Sequence, residues 1–393
     1  MTKRYRHWRH PKEYNQTVKV CGMSMGRVVG VVALCIILLA SLSYCKNGQG
    51  ERLDIEVVYG YGLKGEIGKA LSMLDKMESN HPEDIKFKDK FEQRFKYRKD
   101  RTDYLSNKDA SLRYLLKIYQ DYWREGLLNK SENLDDKLKA DLVSFFNKSN
   151  KEEAFTQRPI NINNLSQVFD DYISLKGMHS TGFQKTGKFY DLLVWKTNEL
   201  EQFEIGLIDQ KLVVDVYWMR DFVTLGWTSY ARLGERYPGG WATDEALYAV
   251  AKGYDKNSEK FKVNYLKHEA QHFSDYQQFP KLKSYDLEYR GKLIELAYGE
   301  EYLHDRLSYF IDNASFDKTN AHPYANYCII RDMSQKIFGE GYVTEKARWN
   351  ELTNQQIQQA ATDLYITNTE RLNRLGKETE HYLGEYERCS DFL

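Results

Sequence analysis

Cysteine is scarce in this chain, with five in 393 residues. Cys21, Cys35 and Cys45 fall within the first 45 residues, and only Cys328 and Cys389 lie beyond them. One bridge is the most such a body can form, which excludes a disulfide framework as its organising force. A surplus of either charge is also missing, since 57 Lys+Arg stand against 57 Asp+Glu. The balance is uneven along the chain: Lys3, Arg4, Arg6, Arg9, Lys12, Lys19 and Arg27 precede residue 45, with Glu13 as the only acid there. The remainder is a mildly acidic body of about −6, which carries no electrostatic footprint for nucleic acid and excludes a nucleic-acid partner.

Long apolar runs are absent but for one. Val28 to Tyr44 (VVGVVALCIILLASLSY), behind Arg27, reads as a signal-peptide core or a membrane anchor. The run ends Leu42-Ser43-Tyr44-Cys45, which resembles a bacterial lipobox with Tyr44 in place of a small residue. Lipidation at Cys45, a retained single span and ordinary cleavage are the three outcomes this pattern allows. Met23 and Met25 sit just upstream of Arg27, and a start at either leaves a conventional short signal, so an over-extended start is expected. Residues 1–45 are thus expected to be a signal peptide or membrane anchor and 46–53 a polar tether. The expected location is the cell envelope, with the body exported and either lipid-anchored or tethered by one span.

Beyond the tether, Ile67 to about Asn147 is rich in Leu, Lys, Glu, Phe and Tyr at helical spacings. In Ala110 to Trp123, residues Leu112, Leu115, Tyr119 and Tyr122 share a face, which predicts amphipathic helices whose aromatic stripes are core. The period changes after Gly187. Asp191–Trp195, Phe203–Ile208 and Lys211–Trp218 are short β-branched and aromatic runs separated by polar turns, and they read as a small antiparallel sheet. The Gly-rich stretch Tyr237–Ala242 leads to a further predicted strand, Ala246–Ala251. From Phe261 to Gln278 the pattern is helical and stops at Phe279-Pro280. A second helix follows from about Tyr285, with Leu287, Ile294, Leu296 and Leu303 among its apolar positions. The short loop between them predicts antiparallel neighbours.

The first of these two helices carries His268-Glu269-Ala270-Gln271-His272. Histidines at i and i+4 project from one helical face, so both imidazoles can reach one metal ion. Glu269 lies about 100° round the helix, where it can touch a metal-bound water without ligating. The alternative is a surface helix with two solvated histidines. Folding the helix pair back places Glu288 and Glu295 in register with the histidines, 16 and 23 residues past His272. Either can supply a third, oxygen ligand. Glu288 is favoured as the nearer counterpart of His272, the alternative being Glu295 as ligand with Glu288 supporting it. Asp275, at i+7 from His268 and i+3 from His272, either orients an imidazole or is a surface acid.

With these residues the chain resembles the gluzincins, zinc metallopeptidases with H-E-x-x-H on one helix and a glutamate ligand on a following one. The resemblance covers about 30 residues. It implies His268, His272 and Glu288 as ligands of one Zn²⁺ per chain, Glu269 as general base on a zinc-bound water, and a fourth position open to substrate. It further implies a His or Tyr electrophile for the oxyanion, for which Asn320–Tyr327 offers His322, Tyr324 and Tyr327, with His322 preferred. An edge strand above the motif helix is implied to pair with extended substrate, and Gly240, Trp241 and Ala242 are the candidates. Trp241 either lines that cleft or is a buried sheet aromatic. Ser274 stands where the family is usually hydrophobic, and the N-E-x-x-S-D form of the third-ligand segment is missing, so a divergent branch is expected. The metzincin pattern fails at Asp275 and Gln278, and the aspzincin signature G-T-x-D-x-x-Y-G is absent.

The expectation is therefore an α+β, predominantly helical protein: a helical region over 54–175, then a zincin-like metallopeptidase domain over 176–393 with a small antiparallel sheet. Helices after Gly339, including Asn354 to Leu375, are expected to form its lower subdomain. The expected activity is zinc-dependent hydrolysis of peptide bonds by an exported or membrane-associated enzyme. Its partners are a peptide or protein substrate and, through the N-terminal segment, a membrane. The competing expectation is a non-catalytic envelope lipoprotein or binding protein with a structural or degenerate metal site.

Overall fold

A computed structural model describes residues 52–98, 109–129 and 132–383. The apolar run, Cys45, the tether up to residue 51 and Cys389 lie outside the described residues. Among the described residues, no helix is long and apolar enough to cross a membrane. The chain divides into two compact units, residues 1–53 with 78–85 and residues 54–77 with 86–393. In the first, Asp84 is buried and accepts from Leu53 N at 3.0 Å and Ser79 Oγ at 2.6 Å, with the Arg52 guanidinium at 3.1 Å.

Six helices come first: α1 (Ile55–Leu63), α2 (Ile67–Asp75), α3 (Pro82–Phe95), α4 (Ala110–Leu127), α5 (Leu134–Glu153) and α6 (Leu165–Leu175). Their starts are chemically marked. Asp54 caps α1, Pro82 opens α3, and Asp109 caps α4 by accepting from Leu112 N at 2.9 Å. The stripe Leu112, Leu115, Tyr119 and Tyr122 is buried, as its spacing predicts. The aromatic rings meet edge to face, Tyr119 with Phe169 at 6.3 Å and Phe146 with Phe169 at 5.8 Å. They form a packed interior.

The strands make three sheets. β1 (His179–Ser180), β4 (Leu193–Trp195) and β7 (Thr224–Leu225) form one, and β2 (Lys185–Thr186) with β3 (Phe189–Tyr190) a second. β5 (Thr197–Gly206), β6 (Lys211–Arg220), β9 (Leu247–Val250) and β8 (Gly240–Ala242) form the largest, in the order β5-β6-β9-β8. All pairings are antiparallel except β6 with β9. Between β7 and β8 the chain forms α7 (Gly226–Ala231).

The remaining helices are α8 (His268–Gln278), α9 (Ser284–Tyr298), α10 (Leu303–Asp312), α11 (Ala321–Phe338), α12 (Lys346–Asn350) and α13 (Asn354–Leu375). One hydrophobic core joins them to the largest sheet. Val216, Trp218, Leu247 and Ala249 enter from the strands, and Phe261, Tyr265, Ala270, Leu293, Ile329 and Tyr365 from the helical side. The protein is thus α+β and predominantly helical. Two sequence expectations differ: Leu193–Trp195 joins a sheet separate from that of Phe203–Ile208 and Lys211–Trp218, and the helix begun near Tyr285 stops at Tyr298, so Leu303 opens a separate helix. Gly299 leaves helical geometry at ψ 140° and ends α9.

Candidate metal centre

A single π-helical turn, Lys262–Lys267, leads straight into α8 at His268. Such a turn shifts the phase of the residues after it, and π-turns recur at functional sites. His268 and His272 are 5% and 6% exposed, which excludes solvated histidines on a surface helix. Their rings meet edge to face at 4.5 Å. Across from them on α9, Glu288 places Oε2 3.5 Å from His268 Nε2 and Oε1 3.5 Å from His272 Nε2. The candidate ligand atoms of the three residues all lie within 4.8 Å of one another.

That spacing is informative. With metal–ligand bonds near 2.1 Å, the edge of a tetrahedral zinc site is about 3.4 Å, close to both histidine–carboxylate separations. The donor set, two imidazoles and one carboxylate, also suits zinc.

The surroundings fix these side chains. Gly291, one helical turn after Glu288, makes room for the His268 ring: a Cβ there would stand 2.7 Å from Cε1 and 2.9 Å from each ring nitrogen. One further turn along, Glu295 takes His268 Nδ1 at 2.7 Å, and its other oxygen lies 3.0 Å from Arg306 Nε of α10. A carboxylate behind Nδ1 turns Nε2 toward the cluster. The structure therefore sorts the two glutamates, Glu288 facing both histidines and Glu295 supporting one of them.

The electrostatics favour positive charge at the centre. Burial disfavours a charged His268, yet Glu288 and Glu295 outweigh it and push its pKa up to about 10. Glu288 is held well below the usual carboxylate range, because His322, His268 and His272 overcome its burial. Glu295 is lowered as well, with burial opposed by Arg306 and His268.

The other sequence candidates fall in several places. Glu269 is half-buried, and after burial itself its charge is what raises the hydroxyl pKa values of Tyr265, Tyr254 and Tyr276. His322, at the second position of α11, has Nδ1 2.7 Å from Glu288 Oε2, with its side chain 67% exposed. Asp275 does not meet an imidazole. It is fully buried and pairs with Arg290 Nε at 3.0 and 2.9 Å, because a buried carboxylate needs a counter-charge. Among the described residues His272 Nδ1 has no hydrogen-bond partner.

Gly240, Trp241 and Ala242 form β8, an edge strand packed against α8. Gly240 lies on the α8 side, where a Cβ would come 2.6 Å from Tyr265 Cε2. Successive residues alternate faces, so Trp241 projects away from the metal cluster. There it stacks on Tyr248 at 5.5 Å and meets Trp195 edge-on at 6.0 Å.

Three residues at the centre escape sequence reasoning: Gly291, Arg306 and Lys292, whose Nζ lies 4.0 Å from Glu288 Oε2. A glycine inside a helix, between two candidate ligands, was a signal that something approaches closely there. Arg306 comes from another helix and left no comparable trace. No family model, no curated protein and no solved structure matches this chain.

Proposed function

We propose that the protein is a zinc-dependent peptidase of divergent gluzincin type, exported and held at the cell envelope by its N-terminal segment. The observation that carries this reading is the convergence of His268, His272 and Glu288 from two helices, with Glu269 beside them. His268, His272 and Glu288 would hold the zinc, which would supply Lewis-acid activation of a carbonyl and of a water molecule. Glu269 then accepts a proton from the attacking water and returns it to the leaving amine. Glu295 and Arg306 keep the His268 ring in place. His322, exposed beside Glu288, is suited to donate toward the developing oxyanion. The free edge of β8, with Gly240 and Ala242 on the α8 side, suits an extended peptide backbone.

A second reading, a structural metal site in a non-catalytic envelope protein, draws on the same His322. Its Nδ1 lies 2.7 Å from Glu288 Oε2, so His322 would steady that carboxylate on a bound metal rather than act on a substrate. The two readings separate on one variant. Glu269→Gln is expected to keep about one zinc per chain while hydrolysis falls by about 10²–10⁴-fold, read by cleavage profiling of a peptide library against the wild type. Full zinc with no cleavage by the wild type favours the structural reading. Equally little zinc in wild type and His268→Ala overturns both.

A further inference from the structure

On the sheet face opposite α8, a cavity of about 420 Å³ opens between α6, β1 and the β5-β6-β9-β8 sheet. Its size falls within the range of small-ligand pockets. Trp241 and Trp195 meet at a corner, their rings inclined by 68°; Trp195, 3% exposed and stacked on His179 at 5.9 Å, backs it, and Trp241 with Tyr248 offers the accessible ring surface. The remaining lining is rich in hydroxyl and amide groups and contains no Lys or Arg.

Several polar groups keep spare capacity, although the Thr243 hydroxyl is spent on Ala246 O, Glu245 N and Ala246 N. Asn198 Oδ1 accepts from Trp195 Nε1 at 2.6 Å, which fixes both side chains at the corner. Ser180 Oγ accepts from Gly182 N at 3.1 Å and Thr181 Oγ1 from Leu193 N at 3.3 Å, which leaves their O–H groups to donate. Asp170 lies within ion-pair range of no cation among the described residues. Gly182, at φ +71°, passes beside it without a side chain to fill the space.

This chemistry selects a ligand class. A carboxylate with no counter-ion among the described residues, in a lining whose only basic side chain is His179, disfavours phosphates and carboxylates. A cage for a quaternary ammonium needs aromatic faces and an acid, but has no use for so many hydroxyls and amides. A sugar ring uses both: its C–H face carries slight positive charge toward an aromatic ring, and its hydroxyls need donors and acceptors at the rim. We propose that this cavity binds a neutral sugar ring, seated on Trp241 at this corner, with Asp170, Asn198 and Ser180 holding its hydroxyls.

The site shares no ligand with the metal centre, so it is tested independently. The full chain in detergent is titrated with neutral oligosaccharides of glucose, mannose and N-acetylglucosamine, following tryptophan emission and calorimetric heat. Saturable binding of at least one series is expected, weakened about tenfold or more, roughly 1.4 kcal/mol, by Trp241→Ala and by Asp170→Ala, and partly restored by Trp241→Phe. His268→Ala leaves this binding unchanged. Asp170 is exposed, so its variant keeps the test valid should Trp241→Ala unfold. The proposal is overturned if no series binds, if choline or inorganic phosphate binds instead, or if both alanine variants bind as the wild type does.

Discussion

A methyl group at position 291 would stand 2.7 Å from His268 Cε1, well inside the separation at which carbon atoms attract. Alanine otherwise strengthens a helix interior by about 1 kcal/mol relative to glycine, so Gly291→Ala sets local helix preference against the room that His268 needs. The ring can yield only by leaving the hydrogen bond to Glu295 or by swinging Nε2 away from Glu288. The variant is expected to keep its helix content by circular dichroism and to bind zinc at least about tenfold more weakly, measured by competition with a chromophoric chelator. Wild-type affinity in that titration would show that Gly291 does not set the ring's position.

At the scale of elements, the candidate metal centre depends on α8 and α9 holding their register, and a buried polar network ties both to α13. Arg290, 2% exposed, joins Asp275 of α8 to Asn368, Thr369 and Tyr365 of α13, while the Tyr365 hydroxyl donates to Gln271 at 2.9 Å. Arg290→Met strands the Asp275 carboxylate and is expected to lower unfolding stability by about 3–5 kcal/mol. Adding Asp275→Leu should recover much of that loss, as read from denaturant midpoints of the three proteins. A neutral Arg290→Met would mean that apolar packing alone sets the register. These elements differ in how far the sequence revealed them. The pentad, the Pro280 break and the return to Glu288 follow from local periodicity, so the two helices and the convergence of His268, His272 and Glu288 were readable. Asp275 was misjudged because the charge that pairs with it, Arg290, sits on α9 and is held in turn from α13, and local spacing says nothing of such distant neighbours. Alternation placed Gly240 and Trp241 on opposite faces of β8, but three residues could not say which face meets α8. The stop at Gly299 needed only one glycine amid apolar positions that continue the helical pattern, which is why Leu303 was assigned to the wrong helix.

For the whole molecule, pH acts on stability through carboxyl groups whose pKa values folding moves in opposite directions. Glu295 is lowered, so its contribution is present above its unfolded pKa and is lost as pH falls. Asp191 behaves the other way. It is 1% exposed between β3 and β4, and its Oδ1 accepts from Leu192 N at 2.9 Å and Trp227 N at 2.8 Å, tying the start of α7 to the link between these two strands. Burial outweighs these bonds and raises its pKa from 3.8 to about 6. The folded protein therefore binds this proton more tightly than the unfolded chain does. The associated stabilisation is complete below about pH 4 and is lost as pH rises through about 6, a difference of about 3 kcal/mol. Asp191→Asn keeps an oxygen acceptor for both backbone N–H groups and removes the titration. Asp286, whose pKa burial pushes up to about 7, acts in the same sense but is common to both proteins. Urea unfolding at pH 4, 5, 6 and 7 should show the wild type losing ground steadily to Asp191→Asn across that window. Parallel curves would mean that Asp191 is solvated enough to titrate as it does in the unfolded chain, and that the junction of α7 with the strands does not report on pH.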